Sequence, residues 1–218
     1  MLGRLIPDPL TAILELVNNS YYADAEEVTI IFSKKENTIV ITDDGHGMSL
    51  DDIRHGWLEI GSRIKRQRTR SLRKNRVLSG SWGVGRLLAF SFANMVEMRT
   101  GQEGKRWRRI LLDLRKIMKI SNISKIRVSI STLSDKPRKH GTTITLTQLK
   151  WFPKDYEELK QRLSHLRNPK DLHDFTIYLK SDEKTEKIEP QEDLPHASVR
   201  NTRDLLHKLI RSLLRIFA

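Results

Sequence analysis

Glu15 and Asn19 are four residues apart, so they share one face of any helix that contains them. A carboxylate in such a place could orient and deprotonate an attacking water. A nearby amide oxygen could ligate Mg²⁺, which prefers hard oxygen ligands and keeps several waters. The alternative for this pair is an ordinary solvated helix face.

A second segment, Asp43 to Met48 with the sequence DDGHGM, follows a β-branched run and combines two acids with two glycines. A carboxylate at a strand end can accept a hydrogen bond from the amino group of adenine. Glycines such as Gly45 and Gly47 let the backbone come close to the base. The alternative is an ordinary acidic turn.

A third segment, GSWGVG, places glycines at positions 80, 83 and 85 directly before an apolar helical pattern. Glycines let backbone amides approach a phosphate, and the N-terminus of a helix adds positive partial charge. No Gly-Lys-Ser/Thr follows, which excludes a P-loop, and the glycine spacing is not that of a dinucleotide-binding fold. A structural turn is the alternative.

In this order the segments resemble the Bergerat-fold (GHKL) ATPases, the superfamily of DNA gyrase, the ninety-kilodalton heat-shock chaperones, histidine kinases and MutL. The matching stretches are ELVNNSYYADA at 15–25, DDGHGM at 43–48, GSWGVGR at 80–86 and GTTITL at 141–146. The pattern is closest to chaperone-like, MutL and MORC-type domains.

The resemblance implies that the chain binds ATP with Mg²⁺ and hydrolyses it slowly, with lid closure that drives a conformational or dimerisation switch. It implies that Glu15 is the water-activating base, that Asn19 is the magnesium ligand and that Asp43 reads adenine. Further nucleotide contacts are implied at Gly45, Gly47, Met48, Gly80, Gly83, Val84, Gly85, Arg86 and Thr143.

One position departs from the family pattern. Members commonly carry an acid seven residues after the base, whereas this chain has Tyr22 there and its next acid is Asp24. Because Tyr22 shares the helix face of Glu15 and Asn19, its phenol could border the nucleotide, weaken its binding or stack on it. Binding and hydrolysis are therefore separate expectations.

These residues need a helix, a strand end and a helix N-terminus to position them. Apolar residues at helical spacing predict a helix over 9–22, with Glu15, Asn19 and Tyr22 on its opposite face. The other predicted elements are a short helix toward Trp57, a helix at 154–166, and strands at 28–32, 38–42, 96–100, 107–114, 126–131, 142–146 and 175–179. Periodicity alone predicts an α/β or α+β domain. The resemblance narrows this to a two-layer α/β sandwich, a mixed sheet with helices on one face.

The predicted organisation has four parts. Residues 1–150 form an ATP-binding domain with a basic lid at about 58–80, and residues 151–180 extend the same domain. Residues 181–196 are charged and contain two prolines, which predicts a linker. Residues 197–218 predict a basic amphipathic helix that either packs on the domain or serves dimerisation.

The net charge is +13 and the pI is about 10.1, which favours polyanionic partners. The segment 63–76 contains eight basic residues and no acid. It could be a solvated loop, a lid over the triphosphate or a contact for nucleic acid. The alternative function is a catalytically weak module that acts through nucleic-acid or protein binding.

The chain has no cysteine, which excludes disulfides, thiolate metal sites and a thiol nucleophile. Its N-terminus lacks the pattern of a signal peptide, and no run of apolar residues is long enough to span a bilayer. We therefore expect a cytoplasmic protein without a membrane partner, with a homodimer as one possible state.

Overall fold

The computed structural model describes residues 9–58, 69–77, 92–117, 128–134, 139–150, 156–166 and 174–191. The elements in this part of the chain are α1 (Pro9–Tyr22), β1 (Glu27–Ser33), β2 (Thr38–Asp43), a π-helical turn (Asp52–Trp57), β3 (Ala93–Gly101), β4 (Arg108–Asp113), α2 (Leu114–Ile117), β5 (Ile130–Thr132), β6 (Gly141–Leu149), α3 (Tyr156–Ser164), β7 (Thr176–Lys180) and β8 (Thr185–Ile188).

The strands form one mixed sheet in the order β5-β4-β3-β6-β2-β1-β7-β8. Neighbouring strands run antiparallel except β1 and β7, which are parallel. The adjacent strands β2 and β6 are paired from Thr38 with Thr147 to Asp43 with Thr142. This register brings Asp43 and the GTTITL motif to the same end of the sheet.

The β1–β2 hairpin follows from alternation in the sequence. Val28, Ile30 and Phe32 are buried while the residues between them are not, as expected for strands with one face against a core. The polar turn closes with the Asn37 amide donating to the Lys34 carbonyl at 3.2 Å. Asn37 has φ of 51°, a conformation that asparagine tolerates better than most residues.

Helix α1 covers one face of the sheet. Its apolar side is buried, including Ile13 and Val17, and it belongs to the same core cluster as Ile30 and Ile41 of the hairpin. Leu159 of α3 is fully buried in that cluster. Helices on one face of a mixed sheet confirm the predicted two-layer α/β sandwich.

Several parts of the chain differ from the prediction. The predicted strand at 107–114 ends at Asp113, where the short helix α2 begins. In place of the predicted strand at 126–131, the described residues contain a strand at Ile130–Thr132, and residues 128 and 129 are not part of it. The segment predicted as a linker contributes β8, which pairs with β7 and buries Ile188.

The charged composition of 181–196 concealed this strand because short edge strands often carry charge on their solvent side. In the ranges that the structure covers, no helix is long and apolar enough to cross a membrane. The predicted helix at 197–218 lies outside the described residues.

Candidate functional site

The centre of the candidate site is the Asp43 carboxylate at the end of β2, where only 6% of the residue is exposed. Its Oδ1 accepts hydrogen bonds from the amides of Gly45 at 3.0 Å and Thr142 at 3.1 Å. Its Oδ2 accepts one from Ser20 Oγ at 3.0 Å. The carboxylate thus joins helix α1, the glycine turn and strand β6.

Burial raises the pKa of Asp43 to about 6, while its hydrogen bonds from Gly45, Ser20 and Thr142 act in the opposite direction. Removal of the carboxylate from water disfavours its charged form, and this effect on the pKa is larger than that of the hydrogen bonds. Among the residues that the structure covers, no Lys or Arg forms a salt bridge with Asp43. A buried carboxylate with a raised pKa marks a candidate functional site.

The neighbouring acid has a different task. Asp44 Oδ1 accepts hydrogen bonds from the amides of Glu26 at 2.8 Å and Glu27 at 2.9 Å. Asp44 therefore attaches the turn to the beginning of β1.

The two glycines of the turn are required by close contacts. A Cβ at Gly45 would lie 2.7 Å from Ala23 Cβ and 2.8 Å from the Ala23 carbonyl oxygen. Gly47 has φ of +67°, and a Cβ there would lie 2.1 Å from the carbonyl oxygen of Gly101. The turn is thus fixed between the C-terminus of α1 and the end of β3.

Two further hydrogen bonds fix the same turn. The amide of His46 donates to the Ala23 carbonyl at 2.9 Å. Nδ1 of His140 lies 2.9 Å from the carbonyl oxygen of Gly45. The backbone that would face a base is therefore positioned from both sides.

The sequence did not identify Thr100, which is fully buried at the end of β3. Its Oγ1 accepts the amide of Met48 at 3.0 Å, donates to the Gly141 carbonyl at 3.1 Å and lies 3.0 Å from Thr142 Oγ1. A threonine at a strand end is common, so no sequence signal singles it out. It joins the acidic turn to the GTTITL motif.

The structure does not bring Thr143 to Asp43. Thr143 pairs with Thr42, and their hydroxyls lie 3.3 Å apart on the face of the sheet opposite the helices. Thr142 is the residue that lies beside Asp43, because it is the register partner of Asp43 and successive side chains alternate between faces. The sequence reading was shifted by one residue within two consecutive threonines.

Glu15 and Asn19 are half-buried on α1, as is Tyr22. Ser20, the residue after Asn19, forms the hydrogen bond to Asp43 that connects the helix to the site. The Tyr22 ring packs edge-on against Tyr21 with centroids 6.0 Å apart. The helix that carries the predicted base and magnesium ligand is thus attached directly to the Asp43 carboxylate.

Part of the basic segment is built into the fold. Arg76 is 6% exposed, and its Nη1 donates to the carbonyls of Tyr21 at 2.9 Å and Ala25 at 2.8 Å. Its Nη2 donates to Asp174 Oδ1 at 2.8 Å, and the guanidinium lies 4.3 Å from the centroid of the Tyr21 ring. Burial alone would raise the pKa of Asp174, but the hydrogen bonds from Lys74 and Arg76 hold it below its usual range.

Asp24 completes this attachment. It lies two residues after the end of α1 with φ of 59°, and its carboxylate accepts the backbone amide of Arg73 at 2.7 Å. Residues 73–76 are therefore fixed to the end of α1 rather than forming the solvated loop that charge alone predicts. Of the predicted lid at about 58–80, residues 59–68 and 78–80 lie outside the described residues, as do the phosphate-loop residues Gly80 to Arg86.

Comparison with known proteins gives two findings. Residues 8–142, more than half of the 218-residue chain, match the family described as "Histidine kinase-, DNA gyrase B-, and HSP90-like ATPase". A protein of Herpetosiphon aurantiacus named "Putative type II restriction enzyme HgiDII" is 37% identical over 91 residues. That match covers 42% of this chain and 14% of the length of that protein.

Proposed function

We propose, since the chain belongs to the histidine kinase-, DNA gyrase B- and HSP90-like ATPase family, that it binds ATP with Mg²⁺ and hydrolyses ATP slowly. Nucleotide binding then closes the lid and drives a conformational or dimerisation switch. Asp43 accepts the adenine amino group, and Thr142 lies beside it in place of Thr143. Glu15 activates the attacking water.

The observation that supports this best is the hydrogen bonding of Asp43. Within the described part of the chain Asp43 accepts three hydrogen bonds, two on Oδ1 and the third on Oδ2. A carboxylate oxygen can accept two hydrogen bonds, so Oδ2 retains one acceptor position. An exocyclic amino group supplies the donor that this position needs, and the close-packed glycine turn leaves backbone rather than side chains beside it.

The residues present are compatible with Mg²⁺. Mg²⁺ in nucleotide sites is held by one or two protein oxygens together with substrate phosphates and water. Asn19 offers an amide oxygen one residue from the Ser20 hydroxyl that contacts Asp43. A cluster of three acidic or imidazole ligands, which the described ranges do not contain, is not required for this mode. When bound, the ion would neutralise charge on the phosphates.

The test separates binding from turnover. Phosphate release and the affinity for an ATP analogue are measured for the wild type, Glu15→Gln and Asp43→Asn. Glu15→Gln should bind nucleotide normally but lose phosphate release, whereas Asp43→Asn should lose affinity. Equal phosphate release by the wild type and Glu15→Gln, after removal of contaminating ATPases, would exclude the catalytic role of Glu15.

The switch is tested on the same proteins. Light scattering of Glu15→Gln with and without ATP reports the oligomeric state while the nucleotide is retained. A mass that doubles with ATP supports dimerisation. An unchanged mass together with unchanged protease sensitivity of the basic segment would contradict a nucleotide-driven switch.

A second candidate is nucleic-acid binding by a catalytically weak module. It is supported by the net charge of +13 and by the name of the H. aurantiacus relative, "Putative type II restriction enzyme HgiDII". Binding through phosphate contacts should weaken steeply with salt. If duplex DNA and RNA are not retained at physiological salt, with or without ATP, this candidate is eliminated. The basic residues at 63–68 are then assigned to the lid over the nucleotide alone.

A further inference from the structure

Thr100 lies behind the residues that would contact a base, and its hydroxyl touches three groups. The Met48 amide lies 3.0 Å from Oγ1, the Gly141 carbonyl oxygen 3.1 Å and the Thr142 hydroxyl oxygen 3.0 Å. The residue is fully buried. All three partners belong to the turn and the motif that surround Asp43.

The number of available protons decides how these contacts are arranged. A threonine hydroxyl has one proton and two lone pairs. The Met48 amide must donate, which uses one lone pair of Thr100 Oγ1, and the Gly141 carbonyl must accept, which uses the proton. The Thr142 hydroxyl must therefore donate to the second lone pair of Thr100. Any other assignment leaves one of the three contacts without a proton.

A consequence follows for Thr142. Because its only proton is given to Thr100, its Oγ1 can offer nothing but lone pairs to a further group. Thr142 is the register partner of Asp43, and its amide donates to Asp43 Oδ1 at 3.1 Å. Two acceptors, the Asp43 carboxylate and the Thr142 hydroxyl oxygen, therefore lie side by side.

We propose that Thr100 is a positioning residue for base selection. By accepting the Thr142 proton, it keeps that hydroxyl an acceptor, so the site favours a 6-amino purine over a 6-oxo purine. Without Thr100 Oγ1, the Thr142 hydroxyl turns freely and can donate to a 6-oxo group. This inference rests on the proposed binding of ATP.

The test compares ATP with inosine triphosphate, which carries the same triphosphate but has a 6-oxo group and a protonated N1 where adenine has a 6-amino group and an unprotonated N1. Dissociation constants are measured by calorimetry on the full chain. The wild type should prefer ATP. Thr100→Val, which keeps the size and removes the hydroxyl, should reduce the ratio of the two affinities by about five- to ten-fold, the value of one net hydrogen bond. Thr100→Ser should restore the ratio.

Thr143→Val is the matched control. It removes a threonine hydroxyl from the residue next to Thr142, on the opposite face of the sheet. It should leave the ratio unchanged. If Thr100→Val does not fold, Thr100→Cys retains only a weak donor and acceptor and should give a reduced ratio.

The outcomes separate the two proposals. If Thr100→Val or Thr100→Cys weakens both nucleotides by the same factor, Thr100 supports the fold alone and the inference fails. A ratio that does not change in either variant also overturns it. If the wild type binds neither triphosphate, the proposed function itself is wrong, and the inference falls with it.

Discussion

Replacement of Asp43 by asparagine should make the fold more stable at neutral pH while it removes nucleotide affinity. Burial raises the pKa of this carboxyl from 3.8 to about 6. A shift of one unit corresponds to roughly 1.36 kcal/mol, so the buried charge costs about 3 kcal/mol at pH 8. Asparagine has no charge to bury, and its size is the same.

The hydrogen bonds allow this exchange. The amide oxygen of asparagine can accept from Gly45 and Thr142 as Oδ1 does now. Its NH₂ group can donate to Ser20 Oγ, whose own proton can turn to the Leu16 carbonyl 3.4 Å away. One of the two NH₂ protons is used in this way, and the other faces the acceptor position that Oδ2 keeps open in the wild type, so only part of the 3 kcal/mol should appear as added stability and Tm should rise by a few degrees.

The pH dependence supplies the refutation. The folded pKa of Asp43 is raised, so its contribution to stability is fully present below pH 3.8 and is lost as the pH rises through about 6. The pKa values of Glu97 and Asp174 are lowered, so these carboxylates change the free energy of unfolding with pH in the opposite direction. Their contributions are the same in variant and wild type, so they cancel when the two free energies of unfolding are subtracted. In urea unfolding, the asparagine variant should have the higher free energy of unfolding at pH 8, and the two proteins should have nearly equal values near pH 4.

Asp44→Asn is the matched control because Asp44 is the adjacent carboxyl and is less buried. Its replacement by asparagine should not raise the free energy of unfolding. If Asp43→Asn is less stable than the wild type at pH 8, or if the difference does not change with pH, the reasoning is refuted. For the wild type, affinity for ATP should also fall as the pH drops below about 6, since a protonated carboxyl no longer offers the acceptor.

Two further predictions concern stability. Gly47 has φ of +67°, and a Cβ there would lie 2.1 Å from the Gly101 carbonyl oxygen, so Gly47→Ala should lower the free energy of unfolding by more than about 2 kcal/mol or prevent folding. Gly104 has φ of +71° with open space around it, so Gly104→Ala should lower it by about 1 kcal/mol. Equal losses in thermal unfolding would show that the contact with Gly101 is unimportant. Arg76→Ala removes a donor from the backbone carbonyls of Tyr21, Ala25 and Asp174 and leaves the Asp174 carboxylate with Lys74 alone, so it should lower the free energy of unfolding by about 3 kcal/mol. The exposed Arg70→Ala should change it little, and similar chemical-denaturation midpoints for the two variants would disprove the anchoring role.

The sequence predicted helix α1 and the hairpin well because their patterns are local. Apolar spacing within 9–22 and alternation within 28–42 each involve neighbouring residues. Strand β8 was missed because its burial depends on β7, and its own residues are mostly charged. The role of Arg76 was missed for the same reason, since composition shows a charge run but not the carbonyls that lie around it.

In the candidate site, residue types were more informative than positions. The motif located Asp43, Gly45 and Gly47, and close contacts explain why the glycines are needed. It could not separate Thr142 from Thr143, since only the register with β2 decides which one shares a face with Asp43. Thr100 has no motif at all, because its importance comes from three partners that are distant in sequence.

The parallel pairing of β1 with β7 joins two strands that leave the ribosome at different times. Glu27 lies opposite Thr176, about 150 residues later. At roughly 5–20 residues per second, a ribosome needs on the order of ten to thirty seconds between the two strands. During that interval the hairpin exposes an unpaired edge with apolar Val28 and Ile30, which is a template for association with other chains. The last-made strands of the described sheet therefore also serve to protect the first.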